Sequence, residues 1–382
     1  MSFTTNLERI EGPNLQRGIG RELYYRLVKA AVAAPSADNN QPWKFSHKSN
    51  SFEVHWDRSR KLPSDLKGAF DILSLGAAIE NVVLQASVLG YDTTVAVCSI
   101  SKELDTAQTI KIACVDILYR PAEQADTTGL AHYIDQRKTN RYSYETTPIS
   151  EKMLQTLSQS IDASGLSTLY WETNPDKIKQ LGSLVALSDS LRFRCQTLHE
   201  ELYQQFRLTK KHANKSRDGL DYRTLALPFG GRSLLKTLRP WFLMRTLNLF
   251  GFARFLSGAA KSTVTQSGAI GFIYSKDQSI ESLLNTGRSM QRIWLSATKL
   301  GLSLHPIGSL PVALADNSLP CELQKTKKVI RSVAQSLLPS TTECLQLAFR
   351  IGTEKRRSTT SSLRRRIDDV TIPSDKNSTH DR

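Results

Sequence analysis

Leu75–Tyr91 reads LGAAIENVVLQASVLGY, and Thr286–Leu302 reads TGRSMQRIWLSATKLGL. Set one above the other without a gap, they match Gly76 to Gly287, Leu84 to Leu295, Ala86 to Ala297, Leu89 to Leu300 and Gly90 to Gly301, all at an offset of 211 residues (76 to 287). In the first stretch Ile79, Val82, Val83, Ala86 and Leu89 recur at helical spacing. Gly90 then stands where a left-handed C-terminal residue belongs. Two amphipathic helices always share some positions, but strand-like runs follow both of these. The pattern predicts a chain built from two similar parts.

Outward from the first stretch, Arg21–Ala34 reads as a helix that ends at Pro35. Trp43–Phe45 and Phe52–Trp56 read as strands around the turn-rich SHKSNS, and TTVAVCSI and IKIACVDILY read as two more. A second series begins near Ile134. It has a helix capped at Ser150, a strand in STLYWET, a helix in DKIKQLGSLVALSDSLR and a strand in SGAIGFIYS. A long apolar helix is expected over Ser282–Gly308, and CLQLAFRIG closes the series as a strand. Residues 205–262 are extra to this scheme. After Gly352 the chain is rich in Ser, Thr, Arg and Asp and is expected to be extended, with disorder beyond about Ser374.

With 382 residues, 40% of them hydrophobic and 23% charged, the chain can bury a sizeable core. The formal net charge of +15 favours anionic partners. Basic runs such as RLTKKHANKSR (Arg207–Arg217) are ordinarily solvated faces. The five cysteines are widely separated and contain no CxxC, which predicts free thiols in a reducing compartment. The N-terminal MSFTTNLERIEGPN has no signal-peptide core, and no apolar run approaches the roughly 18 residues of a spanning helix. The nearest, Leu234–Leu256, is broken by Lys236, Arg239, Pro240, Arg245 and Arg254. A cytoplasmic protein without an integral membrane segment is the default expectation. There is no GxGxxG after a strand, no Walker loop, HExxH or GxSxG, and no metal-like histidine spacing, so no metal site is expected.

Three stretches carry candidate chemistry. In APSADNNQPW, Pro35 and Pro42 fix a rigid corner that holds Ser36, Asp38, Asn39, Asn40 and Gln41. It can present polar groups to a flat heterocycle, or merely satisfy its own backbone. In DQRKTNRYSYETTPIS, Arg137, Thr139 and Arg141 alternate and would share one side of an extended segment, as a phosphate grip or an exposed basic linker. In TTSSLRRRIDDV, Arg364, Arg365 and Arg366 could meet a phosphate, a nucleic acid or nothing.

Together these stretches resemble the nitroreductase-like flavoprotein family. The family's Pro-Ser-x-x-Asn-x-Gln-Pro-Trp is met by Pro35, Ser36, Asn39, Gln41, Pro42 and Trp43, six specified positions in nine. Arg137, Thr139 and Arg141 before TTPISEKMLQTL look like its Arg-x-Ser/Thr-x-Arg/Lys motif, and GRSMQRIWLSATKLGL is similar to its central helix. The resemblance covers most of the chain apart from residues 205–262. It implies an α+β nitroreductase-like sandwich, ordinarily a dimer with FMN at the interface. Here the two motifs stand in inverted order, which with the repeat implies two tandem halves forming an intramolecular pseudo-dimer with one flavin site.

The implied layout is a first half over residues 1–120, a second over 121–352 with a possible lid at 205–262, and a basic arm over 353–382. Pro35, Ser36, Ala37, Asn39 and Gln41 would face FMN from one half, and Arg137, Thr139 and Arg141 from the other, with Arg364 or Arg365 at the phosphate. No side-chain base is implied, because the flavin carries the chemistry. NAD(P)H would reduce it and a small organic acceptor (nitroaromatic, quinone or biosynthetic substrate) would reoxidise it, by turns at one face. A lid that shut out NAD(P)H would instead make an FMN store. The chain would act as a monomeric pseudo-dimer or weak homodimer. A nucleic-acid or membrane-surface binder is the third reading, but aromatic residues do not interleave with the basic runs and no helix-turn-helix is evident.

Overall fold

The computed structural model describes residues 19–65, 67–98, 107–120, 128–161, 164–315 and 323–373. The chain first runs through α1 (Arg21–Val32), β1 (Trp43–Lys48), β2 (Ser51–Asp57), α2 (Ala69–Val88), β3 (Tyr91–Val97) and β4 (Thr109–Tyr119). It continues through α3 (Glu151–Ser158), β5 (Ser167–Glu172), α4 (Pro175–Arg194), α5 (Gln196–Gln205), β6 (Phe206–Arg207), α6 (Lys210–Ser216), β7 (Leu220–Asp221), α7 (Gly231–Thr237), α8 (Trp241–Asn248) and α9 (Phe252–Thr265). It finishes with β8 (Ala269–Ser275), α10 (Ile280–Lys299), β9 (Ser303–Ile307), α11 (Ser309–Leu314), α12 (Gln324–Leu337), β10 (Cys344–Gly352) and α13 (Ile367–Val370). The class is α+β.

Two four-stranded sheets, β1-β2-β4-β3 and β5-β8-β10-β9, are antiparallel throughout. Strand for strand their orders correspond, and in each the long helix (α2 or α10) joins the second strand to the third. A two-residue turn links β1 to β2, whereas α4 to α9 stand between β5 and β8. The extra segment therefore begins before residue 205, at α4.

Glycines let α2 and α10 cross at backbone contact. A Cβ on Gly76 would lie 2.1 Å from the Leu284 carbonyl oxygen, and a Cβ on Gly287 would lie 2.1 Å from that of Leu73. The two contacts exchange under the same 211-residue shift (73 to 284). The flanking polar pairs exchange in the same way. Gln291 donates to Asn81 at 2.7 Å, while Arg292 donates to the buried Glu80 at 2.7 Å, and Arg288 donates to its other oxygen at 2.9 Å.

The larger core joins Trp43 and Phe45 of β1, Ile79 and Val82 of α2, Ile293 and Trp294 of α10, and Phe349 and Ile351 of β10. A second core lies on the opposite face of the second sheet, where Ile270, Phe272 and Tyr274 meet Leu181 and Val185 of α4 and Ile330 of α12. With both faces covered, every residue of β8 is buried.

Several sequence expectations are corrected. The helix expected over Ser282–Gly308 stops at Lys299, Gly301 turns left-handed at φ +73°, and Ser303–Ile307 becomes β9. Pro306 is tolerated because β9 is the edge strand of its sheet, paired there with β10, and its bridge to Thr139 is made at Leu304. Helix α12 lies in a stretch where no element is expected from the sequence, and Lys327, Ile330 and Ala334 are its buried residues. The basic run Arg207–Arg217 is not a plain solvated face. Arg207 is buried against Asp218 at 2.7 Å, and Arg217 Nε donates to the Arg364 carbonyl at 2.7 Å.

The run Leu234–Leu256 is broken into α7, α8 and the start of α9. Among the described residues Ala69–Val88 is the one helix long and apolar enough to cross a membrane, and 78% of its apolar window is buried inside the protein. The arm after Gly352 lies against the first sheet, where Ile372 N donates to the Phe45 carbonyl at 2.7 Å and Val370 joins the core. The disorder expected beyond Ser374 falls outside the described residues.

Candidate functional site

The corner after α1 contains three non-glycine residues at positive φ: Asp38 (+45°), Asn39 (+58°) and Gln41 (+52°). Each such residue costs on the order of 1 kcal/mol and persists only where its surroundings over-determine it. Here they do. Ser36 Oγ accepts from Gln41 N at 3.0 Å. Asn39 Nδ2 donates to the Leu363 carbonyl at 3.0 Å and the Gly219 carbonyl at 3.3 Å, and Gly219 N donates back to the Asn39 carbonyl. Gln41 Nε2 donates to the Arg217 carbonyl at 2.9 Å, while its Oε1 accepts from Arg365 N at 2.8 Å. The corner thus fastens both the extra segment and the C-terminal arm.

Beside it lies a cavity of about 460 Å³. Of the residues singled out in the sequence, Pro35, Ser36, Ala37, Asn39, Arg137, Thr139, Arg141 and Arg364 line it. Gln41 and Arg365 do not. Gln41 is fully buried with its amide spent on the two crossing segments, and Arg365 turns to the Asp369 carbonyl at 2.7 Å. Both shape the wall from behind.

Arg137 and Arg364 converge. Each donates through Nη2 to the carbonyl of Ala33 at the end of α1, at 3.0 and 3.3 Å. Arg364 Nη1 also donates to Asn39 Oδ1 at 2.9 Å, and Arg137 stacks 4.5 Å from the Trp294 ring centroid. The Nε atoms of both are buried without a hydrogen-bond partner. Burial, and for Arg137 the neighbouring Arg364 charge, lowers their pKa values to about 9 and about 10. Both stay charged at neutral pH, and among the described residues neither is in an ion pair.

A second basic group, missed in the sequence, sits at Arg350. It is fully buried in β10, 4.0 Å from the Tyr144 ring centroid, with Nη2 donating to the Tyr142 carbonyl at 2.8 Å and Nη1 left without a partner. Its Nε donates to His305 Nδ1 at 3.0 Å, which keeps the ring proton on Nε2. Burial, Arg350 and Arg141 hold His305 well below its ordinary pKa, so it is neutral. A lone arginine inside the apolar LAFRIG is the signal that could have found this site, since buried charge is costly without a partner.

Lys138 and Arg192 also line the cavity, so among the described residues six basic groups face two carboxylates, Asp38 and Asp189. Buried, unpaired guanidiniums in that excess suit an anion, and a phosphate in particular. The extra segment contributes Phe206, Leu220, Thr224, Leu225 and Ala260 to the lining, and Arg141 Nη1 donates to the Thr224 carbonyl at 3.0 Å.

Behind the corner, Asp71 accepts from Asn40 Nδ2 at 2.7 Å and Trp56 Nε1 at 2.8 Å. Burial and then Asp65 raise its pKa to about 7, and burial raises Asp65 to about 6. A carboxyl raised above its unfolded value holds a proton that the unfolded chain releases, so this contribution to stability falls as pH rises from about 4 to about 7. Asp71→Asn is expected to shrink the stability lost between about pH 5 and about pH 7.5, as read by denaturant melts at the two pH values.

No family model matches the chain. A Mycobacterium tuberculosis protein provisionally named NAD(P)H nitroreductase is 31% identical over 124 residues, which is 32% of this chain and 34% of that protein. An uncharacterized protein of the same species is 23% identical over 288 residues, 74% of this chain and 38% of that one. The chain thus spans little more than a third of the length of these relatives. Among solved structures, a provisionally named nitroreductase of Anabaena variabilis aligns over 87% of this chain and 88% of its own at 10% identity and a TM-score of 0.44. A Bacteroides fragilis nitroreductase with bound FMN aligns over 64% and 98% at 10% identity and a TM-score of 0.37.

Proposed function

We propose that the chain is an FMN-dependent oxidoreductase of the nitroreductase kind. In this reading two halves related by the 211-residue shift form an intramolecular pseudo-dimer that keeps one flavin site. The observation that carries it is the pair Arg137 and Arg364, convergent on one carbonyl, each with a buried, unpartnered Nε and neither in an ion pair among the described residues, in a cavity whose walls hold the motif residues of both halves. The reciprocal contacts of Gly76 and Gly287 and the matching strand orders support the pseudo-dimer.

Arg137 and Arg364 would hold the phosphate. Thr139, Arg141 and Arg350, with the Nε2 proton of His305, would face the electron-rich edge of the ring system, where positive charge favours the reduced, anionic form. Bound FMN supplies two-electron transfer between NAD(P)H and a small organic acceptor. Ser36 and Asn39 would face the flavin from the first half, and the apolar side chains that the extra segment adds to the lining would shield it from water. No base is assigned.

FMN added to the apo chain is expected to lose its free-flavin fluorescence and to survive desalting. Anaerobic NADPH is then expected to bleach the oxidised absorbance. Failure to retain FMN sinks the proposal.

A second reading, an FMN store without turnover, is favoured by the fastening of the extra segment to both walls through Arg141–Thr224 and Asn39–Gly219. It predicts retained flavin that NADPH does not bleach. In either reading the segment over 205–262 closes on the flavin, so limited proteolysis should cut it more slowly with FMN than without. Equal cleavage in both states would remove the lid.

A further inference from the structure

The extra segment carries an outer surface that the cavity does not use. On α8, Met244 is fully buried, and Trp241 and Leu247 pack with Leu238 and Ala253 in a small core of their own. The opposite face exposes Phe242, Arg245, Thr246 and, past the helix end, Leu249, at the i, i+3, i+4, i+7 spacing of one side of a helix. Gly251 at φ +76° makes the tight corner into α9. Around that corner Phe242 is 72% exposed, Leu249 82%, Phe250 85% and Phe255 70%. These are protruding side chains, not the walls of a groove. A cluster of large apolar groups at this exposure marks an interaction site on a folded chain.

Along the segment itself the charge has one sign. Lys236, Arg239, Arg245, Arg254 and Lys261 are all exposed, and no Asp or Glu occurs between Asp221 and Asp277. Asp221 itself is held by Arg223. We propose that the α8–α9 corner docks on the surface of a bilayer containing anionic phospholipid. Its phenylalanines and Leu249 enter the headgroup region, and the surrounding lysines and arginines meet the lipid phosphates. A second copy of the chain is disfavoured, because it would bring the same five cations against these. A nucleic acid is disfavoured because the apolar groups project from a convex corner and line no groove that could track a strand. The inference does not depend on what fills the cavity.

Flotation of the full chain tests it, with phosphatidylcholine vesicles that either contain or lack phosphatidylglycerol. The chain is expected to float with the phosphatidylglycerol vesicles, to stay behind with pure phosphatidylcholine, and to detach at about 0.5 M salt. Phe242→Ser, Phe250→Ser and Phe255→Ser combined should lower the partition coefficient at least about tenfold while leaving the melting temperature unchanged. Arg245→Glu with Arg254→Glu, which touches no apolar group, should do the same. No flotation with phosphatidylglycerol, equal flotation of both variants and wild type, or a dimer in size-exclusion that the phenylalanine variant dissolves would each overturn the proposal. So would retention by oligonucleotide without flotation.

Discussion

Arg137→Ala and Arg364→Ala are each expected to raise the FMN dissociation constant roughly a hundredfold, the lower part of the range for removing one partner of a buried, charge-assisted contact. Their effect on the apo chain should have the opposite sign. The two guanidiniums are buried against each other, each with an unpartnered Nε, so removing one relieves repulsion. The remaining one still bonds the Ala33 carbonyl. Apo thermal stability should therefore be unchanged or higher. A purely structural arginine would lower stability and leave affinity alone, so the pair of measurements separates the two roles. Arg137→Lys should fall between, keeping charge but losing the flat stack on Trp294.

Gly76→Ala and Gly287→Ala are expected to destabilise by about 3 kcal/mol or more each, at the top of the range for overpacking. The added carbon would sit 2.1 Å from a backbone oxygen in either case, and no rotamer change can relieve a backbone clash. The helices must part, and they carry Phe70, Leu73, Met290 and Trp294 of the cavity wall. The double variant should cost clearly less than the two singles added together, because both act on one crossing. Gly258→Ala on α9, where a Cβ meets nothing within 4 Å, is the control and should stabilise by roughly 0.5 kcal/mol. Chemical denaturation measures all four.

The sequence made much of this legible. The offset of 211 residues pointed at the two helices that meet, since identical glycines at identical helical positions are what a close symmetric crossing needs. Arg137, Thr139 and Arg141 all line the cavity, but so does Lys138 between them, so the period-two alternation of an extended segment does not by itself account for their placement. What stayed hidden came from long-range contacts. Gln41 looked equivalent to Asn39, yet the extra segment and the C-terminal arm cross behind it and claim its amide. Arg350, His305, Asp189 and Arg192 reach the cavity from elements far apart in sequence, with no local pattern to announce them. The end of α10 was misread because SLHPI continues the apolar run, and only pairing with β10 makes it a strand.

The proposed function requires one flavin site per chain, made from both halves. Titrating the apo chain with FMN by fluorescence, with the chain's mass in solution measured on the same sample, tests it most directly. Saturation is expected at one FMN per chain, with binding abolished over the same range by Arg137→Ala combined with Arg364→Ala. Saturation at two per chain, or no saturable binding, would contradict it.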